Sequence, residues 1–312
     1  MPAARIDISI VAPVYNEEAT LPVFYEALKK VLEGMALTYE IIFVDDGSSD
    51  GSGEIIRQLG RQDPAVRYLL LSRNFGHQPA VMAGLDHCRG ACAVIIDSDL
   101  QDPPEVIPAL YERYRRGFEV VNTRRARRRG ENLFKRATAR LFYAMLAKIT
   151  DFDIPLDAGD FKLIDRKIID HLRQMPERHK YLRGQIAWLG FRQTTLEYER
   201  QPRHAGSSGY PLKKMIRLAW DGITAFSNFP LKVATWSGFL VSFLAFVIIL
   251  YALYSKFILH ETITGWTSLI VSSMFIGGIQ LMGIGIIGEY IGRINSDVRR
   301  RPVYIISESN GE

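Results

Sequence analysis

The sequence predicts an α/β domain built on a doubly wound parallel sheet, followed by two membrane-spanning helices. Two observations carry this reading. Through the first half of the chain, β-like apolar runs alternate with segments of helical period, the pattern of a parallel sheet covered by helices. Near the other end, Val233 to Ser255 and Thr262 to Gly288 contain no charged residue, and each run exceeds the roughly 20 residues needed to cross a bilayer. A chain of 312 residues, 47% apolar and 23% charged, fits neither a disordered protein nor a purely membrane-embedded one.

The first strand is predicted over Ile6 to Val14 and the first helix over Glu17 to Glu33. Further strands are expected over Tyr39 to Val44, Val66 to Leu71, Ala91 to Ile96 and Phe118 to Val121, with helices over Gly51 to Leu59, Gln78 to His87 and Pro104 to Arg115. In such sheets ligands bind beyond the carboxyl ends of the strands. Three polar segments fall there: Val14-Tyr15-Asn16-Glu17, Asp45-Asp46-Gly47-Ser48 and Asp97-Ser98-Asp99. They are expected to share one crevice.

The third segment is the most informative. Residues i and i+2 of an extended backbone point the same way, so Asp97 and Asp99 can converge on one hard divalent cation, and that cation can clamp a diphosphate. An Asp-rich turn capping the helix that begins near Pro104 would use the same residues. Asp45 or Asp46 can offer a carboxylate to a nucleobase edge, while Ser49 or Asp50 is better placed to cap the next helix. Tyr15 can face a base or ribose, and Glu17 can accept hydrogen bonds.

Beyond the sheet lies the basic run Arg124-Arg125-Ala126-Arg127-Arg128-Arg129, then an amphipathic helix predicted over Glu131 to Ile149 with Lys135, Arg136 and Arg140 on its polar face. The run lacks interleaved aromatics and precedes membrane spans. It therefore suits phosphates or lipid headgroups, as does the net charge of +5, and nucleic acid is not expected. Tyr210 to Phe229 reads as an interfacial amphipathic helix or helix pair.

The expected organisation is a soluble domain over residues 1–209, an interfacial segment over 210–230, spans at about 233–255 and 263–288 within 231–292, and a tail over 293–312. Lys213, Lys214, Arg217 and Lys232 precede the first span, and Arg293, Arg299, Arg300 and Arg301 follow the second, whereas the connecting loop offers only Lys256. The positive-inside rule places the large domain and both termini in the cytoplasm. No secretory leader is expected at the N-terminus. Cys88 and Cys92 read as reduced, packing thiols. Gly277, Gly278, Gly283, Gly285, Gly288 and Gly292 would permit close helix packing in the second span and a homo-oligomer, with Gln280 and Glu289 as contacts within it.

These segments, with Ala12-Pro13-Val14-Tyr15-Asn16-Glu17-Glu18, Ser72-Arg73-Asn74-Phe75-Gly76, Asp157-Ala158-Gly159-Asp160-Phe161, Arg203-His204-Ala205-Gly206 and Gly288-Glu289-Tyr290-Ile291-Gly292-Arg293, give the chain a family resemblance. It resembles the polyprenyl-phosphate glycosyltransferases of glycosyltransferase family 2, which include bactoprenol glucosyltransferases and dolichol-phosphate mannose synthases. The resemblance covers nearly the whole chain. It implies a GT-A (Rossmann-like) fold, a nucleotide-sugar donor with UDP-glucose as the default, and Mg²⁺ or Mn²⁺. It also implies inverting transfer to a polyprenyl phosphate such as undecaprenyl phosphate, at a bacterial plasma membrane.

Carried over by motif, Asp97, Asp99 and Gln101 would surround the metal, and Pro13, Tyr15, Glu17 and Asp45 or Asp46 would hold the nucleoside. Arg124 and Arg136 match phosphate-contacting positions, and Arg203 would approach the donor diphosphate. Gly209 stands where relatives commonly carry Lys, which removes a cation from that loop. Asp160, then Asp157, is the candidate carboxylate near the acceptor, to position an Arg or take a proton.

Two other readings compete. A processive polysaccharide synthase usually carries Gln-x-x-Arg-Trp and more spans, whereas this chain has Gln185-Ile186-Ala187-Trp188 and two spans. A catalytically silent nucleotide-binding scaffold would bind nucleotide and transfer nothing.

Overall fold

The computed structural model describes residues 6–125, 158–178, 180–199, 229–258 and 265–311. The predicted helix over Glu131 to Ile149 and nearly all of the interfacial stretch lie outside these residues.

Eight strands form one sheet: β1 (Ile8–Val14), β2 (Tyr39–Asp45), β3 (Val66–Leu71), β4 (Cys92–Ile95), β5 (Val120–Arg125), β6 (Ala158–Asp165), β7 (Gln193–Tyr198) and β8 (Ile306–Ser309). The helices packed on it are α1 (Leu21–Glu33), α2 (Ser52–Gln62), α3 (His77–His87), α4 (Ile107–Arg115), α5 (Arg166–Gln174) and α6 (Leu182–Trp188), with a single 3-10 turn at Pro104–Val106. All seven residues of β1 are buried, as a strand covered on both faces requires. Alternate side chains divide between two apolar layers. Ile10, Phe43 and Val94 pack with Phe24, Leu28, Ile56 and Leu110 of α1, α2 and α4. Val11, Ile42 and Ala93 pack with Val81, Leu85, Ile169 and Ile186 of α3, α5 and α6. α3 comes closest at Gly84, where a Cβ would stand 2.3 Å from Val11 Cγ1.

The strand order is β7-β5-β6-β4-β1-β2-β3-β8. β1, β2, β3 and β4 run parallel, with Val11 registered against Ile42 on one side and Ile95 on the other. The chain steps outward from β1 to β3, then returns to lay β4 on the opposite side of β1. A topological switch point therefore opens between the carboxyl ends of β1 and β4.

The sheet is mixed, which corrects the all-parallel expectation. β6 runs antiparallel to β4 and β5, and β8 antiparallel to β3. Apolar periodicity reports burial, not direction, and direction is set by the connections. β5 also begins and ends later than predicted, because Asn122 to Arg125 continue the ladder beside β7. The first helix starts at Leu21 instead of Glu17. The Glu17 carbonyl accepts the N–H groups of Thr20 (3.1 Å) and Leu21 (2.9 Å) in a turn that leaves Glu17 at the strand end.

β8 comes from the tail, which the sequence offered only as a tail. The Ser72 N–H donates to the Ile305 carbonyl at 2.9 Å, and the Asn310 side chain accepts from Tyr68 N (2.7 Å) and donates to Val66 O (3.0 Å). Arg57 pairs with Glu308, and Tyr304 Oη donates to Asp86 at 2.8 Å. Residues 302–311 thus belong to the sheet-bearing unit and cover the otherwise open edge of β3.

The second unit holds α7 (Phe229–Phe257) and α8 (Trp266–Val298). Both are long and apolar enough to cross a membrane, with mean hydropathies of 1.8 over Pro230–Ile248 and 1.5 over Ser272–Val298. Neither stretch is buried, and Trp236, Phe239, Met274 and Leu281 are exposed. Exposed apolar faces of this length belong in lipid and not in water, so the pair marks membrane association. A Cβ added at any of the six α8 glycines would meet nothing within 4 Å among the described residues.

Candidate active site

Three strand-end loops interlock at the switch point. The Asn16 N–H donates to Ser48 Oγ (2.9 Å), the Glu17 N–H to Ser52 Oγ (2.9 Å), and the Ser49 N–H to Asn16 Oδ1 (2.8 Å). Asp46 accepts the N–H groups of Phe75 (2.7 Å) and Gly76 (2.9 Å). Gly47 sits at φ +68°, and a Cβ there would stand 2.4 Å from the Arg73 carbonyl carbon, so this turn demands glycine. Ser98 Oγ donates to the Pro13 carbonyl at 3.0 Å, tying the end of β4 to the end of β1.

These contacts frame a cleft of about 260 Å³ lined by Pro13, Tyr15, Glu17, Asp46, Asp97 and Asp99, with His77. Half of Tyr15 is exposed, leaving its ring free to meet a planar ligand. Asp97 is the unusual member. Its side chain keeps 31% exposure, yet Oδ1 is sealed from solvent and has no hydrogen-bond partner. Burial is the main cause that pushes its pKa up to about 6; His77 opposes the shift, and Asp160, Asp102 and Asp99 add to it. Asp99 Oδ1 accepts the Gln101 N–H at 3.1 Å. Gln101 itself is buried, at 5% exposure. Among the described residues no group of three His, Cys, Asp or Glu side chains is placed to hold a metal.

Asp160, on β6, is held by Arg183 of α6 in a two-point pair, Nε to Oδ1 and Nη2 to Oδ2, both 2.9 Å. Although burial opposes it, Arg183, with Lys162 and His77 nearby, lowers the Asp160 pKa to about 2. Lys162, two residues along the same strand, is 3% exposed, and burial lowers its pKa to about 8. The His77 ring links the two carboxylates: Nε2 stands 3.8 Å from Asp97 Oδ1 and 3.7 Å from Asp160 Oδ2.

The structure thus gathers Pro13, Tyr15, Glu17, Asp46, Asp97 and Asp99 around one cleft, with Asp160 reached through His77. Asp46 spends both oxygens on the loop before α3 and lines the cleft, whereas Asp45 accepts the Ser48 N–H within its own turn at 3.3 Å. Asp50 accepts the Ser52 N–H at 3.0 Å at the start of α2. Arg124 is not brought to the cleft: it pairs with Glu197, its ladder neighbour on β7. Arg136, Asp157 and Arg203 lie outside the described residues. Sequence reasoning missed His77 and Arg183. His77 carried a signal, since it directly follows the Arg73-Asn74-Phe75-Gly76 turn; Arg183 carried none, because its partner lies 23 residues away.

Comparison with known proteins gives a consistent answer. The family model described as Glycosyl transferase family 2 matches residues 9–173, more than half of the chain. An uncharacterized glycosyltransferase of Bacillus subtilis (strain 168) is 48% identical over 307 residues, covering 98% of this chain and 95% of the relative. The SfII prophage-derived bactoprenol glucosyl transferase of Shigella flexneri is 42% identical over 303 residues, covering 97% and 98%. A prophage bactoprenol glucosyl transferase homolog of Escherichia coli (strain K12) is 41% identical over 299 residues, covering 96% and 98%. Among solved structures, glucosyl-3-phosphoglycerate synthase from Mycobacterium tuberculosis with Mn²⁺, UDP and glucosyl-3-phosphoglycerate covers 70% of this chain and 78% of its own, at 19% identity and a TM-score of 0.47, a likeness that adds no weight to the assignment. With a switch-point cleft of the kind nucleotide-binding sheets use, and with relatives of this identity over nearly its full length, the chain belongs to glycosyltransferase family 2 and is a glycosyltransferase.

Proposed function

We propose that this enzyme moves one hexosyl unit, glucose first among candidates, from a UDP-sugar to undecaprenyl phosphate, with inversion and with Mg²⁺ or Mn²⁺, on the cytoplasmic face of a bacterial plasma membrane. The observation that carries the reading is the sealed Oδ1 of Asp97, which accepts no hydrogen bond and has only His77 Nε2 at 3.8 Å, beside Asp99 at the switch point. A carboxylate oxygen buried without a partner is costly unless a cation satisfies it. Two carboxylates suit a hard divalent ion, so Asp97 and Asp99 fit the metal, and the buried Gln101 gives its backbone N–H to Asp99. When bound, such an ion neutralises charge on the departing diphosphate.

The protein's own groups supply position. The Shigella and Escherichia relatives, named as a bactoprenol glucosyl transferase and a homolog of one, support a bactoprenol acceptor and a glucosyl donor for this chain. A phosphate monoester has a second pKa of about 6, so the acceptor is already an anionic nucleophile near neutrality and needs no strong base. Asp160 fits that chemistry: a carboxylate held near a pKa of 2 is a poor base and a good anchor for Arg183. The planar guanidinium of Arg183 is of the kind that suits phosphate oxygens. Tyr15 and Glu17 line the cleft beside Asp46, which supports a nucleoside bound there.

The membrane assignment has separate support. β8 and β3 share one sheet, so chain on both sides of the α7–α8 pair lies on the same side of any membrane that pair crosses. Two crossings satisfy that condition. The excess of Lys and Arg outside the connecting loop supports a cytoplasmic location for that side.

Purified full-length protein, incubated with radiolabelled UDP-glucose, Mn²⁺ and undecaprenyl phosphate, is expected to move label into the organic phase. A panel of UDP-galactose, UDP-N-acetylglucosamine and GDP-mannose then ranks the donors. Absence of extractable label with every donor, from protein that still binds UDP, would support the silent scaffold.

A further inference from the structure

We infer that His77 is the residue that reads the transferred sugar. This rests on the reading of the cleft as a nucleotide-sugar site and goes beyond it, naming the group that meets the hexosyl hydroxyls.

In a transfer between two phosphates, the sugar ring must lie between the departing diphosphate and the incoming acceptor. Asp97 and Asp99 mark the first end. Asp160, with its bound Arg183, marks the second. His77 stands between them, with Nε2 at 3.8 Å from Asp97 Oδ1 and 3.7 Å from Asp160 Oδ2. Both distances are too long for a hydrogen bond and short enough for a hydroxyl nearby to reach the ring and a carboxylate together. A sugar hydroxyl can donate to a carboxylate and accept from a ring N–H, or the reverse, so this arrangement has the polarity a hexose needs.

The backbone makes the placement firm. His77 opens α3, and the preceding Gly76 takes φ +104°, a conformation that non-glycine residues rarely adopt. The N–H groups of Phe75 and Gly76 are both bound by Asp46. The α3 start therefore cannot swing without breaking two hydrogen bonds. The ring keeps 38% exposure and lines the cleft, and its two carboxylate neighbours, Asp97 and Asp160, both stand beyond hydrogen-bond distance. Its edge is open to the ligand space.

The test separates sugar recognition from nucleotide recognition. Affinities of full-length protein for UDP and for UDP-glucose, both with Mn²⁺, are measured by calorimetry for the wild type, His77→Ala and His77→Gln. Loss of a polar contact to a substrate hydroxyl weakens binding by roughly tenfold or more. The expected result is a loss for UDP-glucose in His77→Ala roughly tenfold greater than any loss for UDP, and partial recovery in His77→Gln, which restores a donor and an acceptor. The same variants should blur the preference among UDP-glucose, UDP-galactose and UDP-N-acetylglucosamine. The inference is overturned if His77→Ala leaves UDP-glucose affinity unchanged, or if it weakens UDP and UDP-glucose equally, since His77 then supports the nucleotide end alone. If the wild type binds no UDP at all, the nucleotide-sugar reading itself falls, and His77 with it; wild-type binding of UDP with no gain from the sugar overturns the inference alone.

Discussion

Asp160 shows how a single carboxylate changes role once its partner is known. Sequence left it open whether this residue takes a proton or positions an Arg. The two-point pair with Arg183 favours the second, and it has a measurable consequence in acid. Its folded pKa, about 2, lies below the ordinary 3.8, so the pair's contribution is fully present above pH 3.8 and is lost as pH falls through about 2. Asp160→Asn should therefore cost about 2 kcal/mol near neutrality. Thermal melts across pH should show the gap between variant and wild type closing in strong acid. A gap that stays constant down to pH 2 would mean that the carboxylate is not stabilised by its charge. Asp97 has the opposite sign: burial raises its pKa to about 6, so its ionised form is a cost to the fold that the site accepts. Such a cost is characteristic of a residue kept for ligand binding.

At the scale of elements, the legible parts were those written in local pattern. β1, β2, β3 and β4 were recognised from apolar runs buried on both faces, and the three polar strand ends did converge. What local pattern cannot carry is pairing across long separations. The antiparallel entry of β6 depends on chain far from β4, and β8 is four residues long at the end of a charged tail. Its bonds to β3 are specific all the same. Asn310 stands in for a further ladder residue by bonding the Tyr68 N–H and the Val66 carbonyl. Asn310→Ala should lower stability by about 1 kcal/mol or more, because it leaves backbone groups at the sheet edge without partners. Glu308→Gln, at an exposed ion pair with Arg57, should have a much smaller effect. Equal effects in thermal melts would show that the charge pair, and not the ladder, holds the tail. The same non-locality hid Arg183, whereas Arg124 was legible as a basic strand end but is paired with Glu197.

At the scale of the whole molecule, the sheet and the helix pair constrain topology together. One chain leaves the sheet, runs through two apolar helices, and returns as β8 beside β3. Since Cys88 and Cys92 are both buried, introduced cysteines can report topology without strong background. A cysteine replacing His260 should react with a membrane-impermeant maleimide in intact cells. One replacing Glu312 should react only after permeabilisation. Labelling of both from outside would remove the cytoplasmic assignment, and labelling of neither would place the connecting loop inside with the tail.

Asp97 and Asp99 are proposed as the cation-dependent seat of a nucleotide-sugar. Equilibrium binding of UDP-glucose to the full-length protein, with Mn²⁺ and then with excess chelator, tests it most directly when wild type is compared with Asp99→Asn. Tight binding by wild type that collapses on chelation, and that is missing in an Asp99→Asn protein of unchanged melting temperature, is the predicted result. Binding that survives the chelator, or that Asp99→Asn retains in full, would contradict the account.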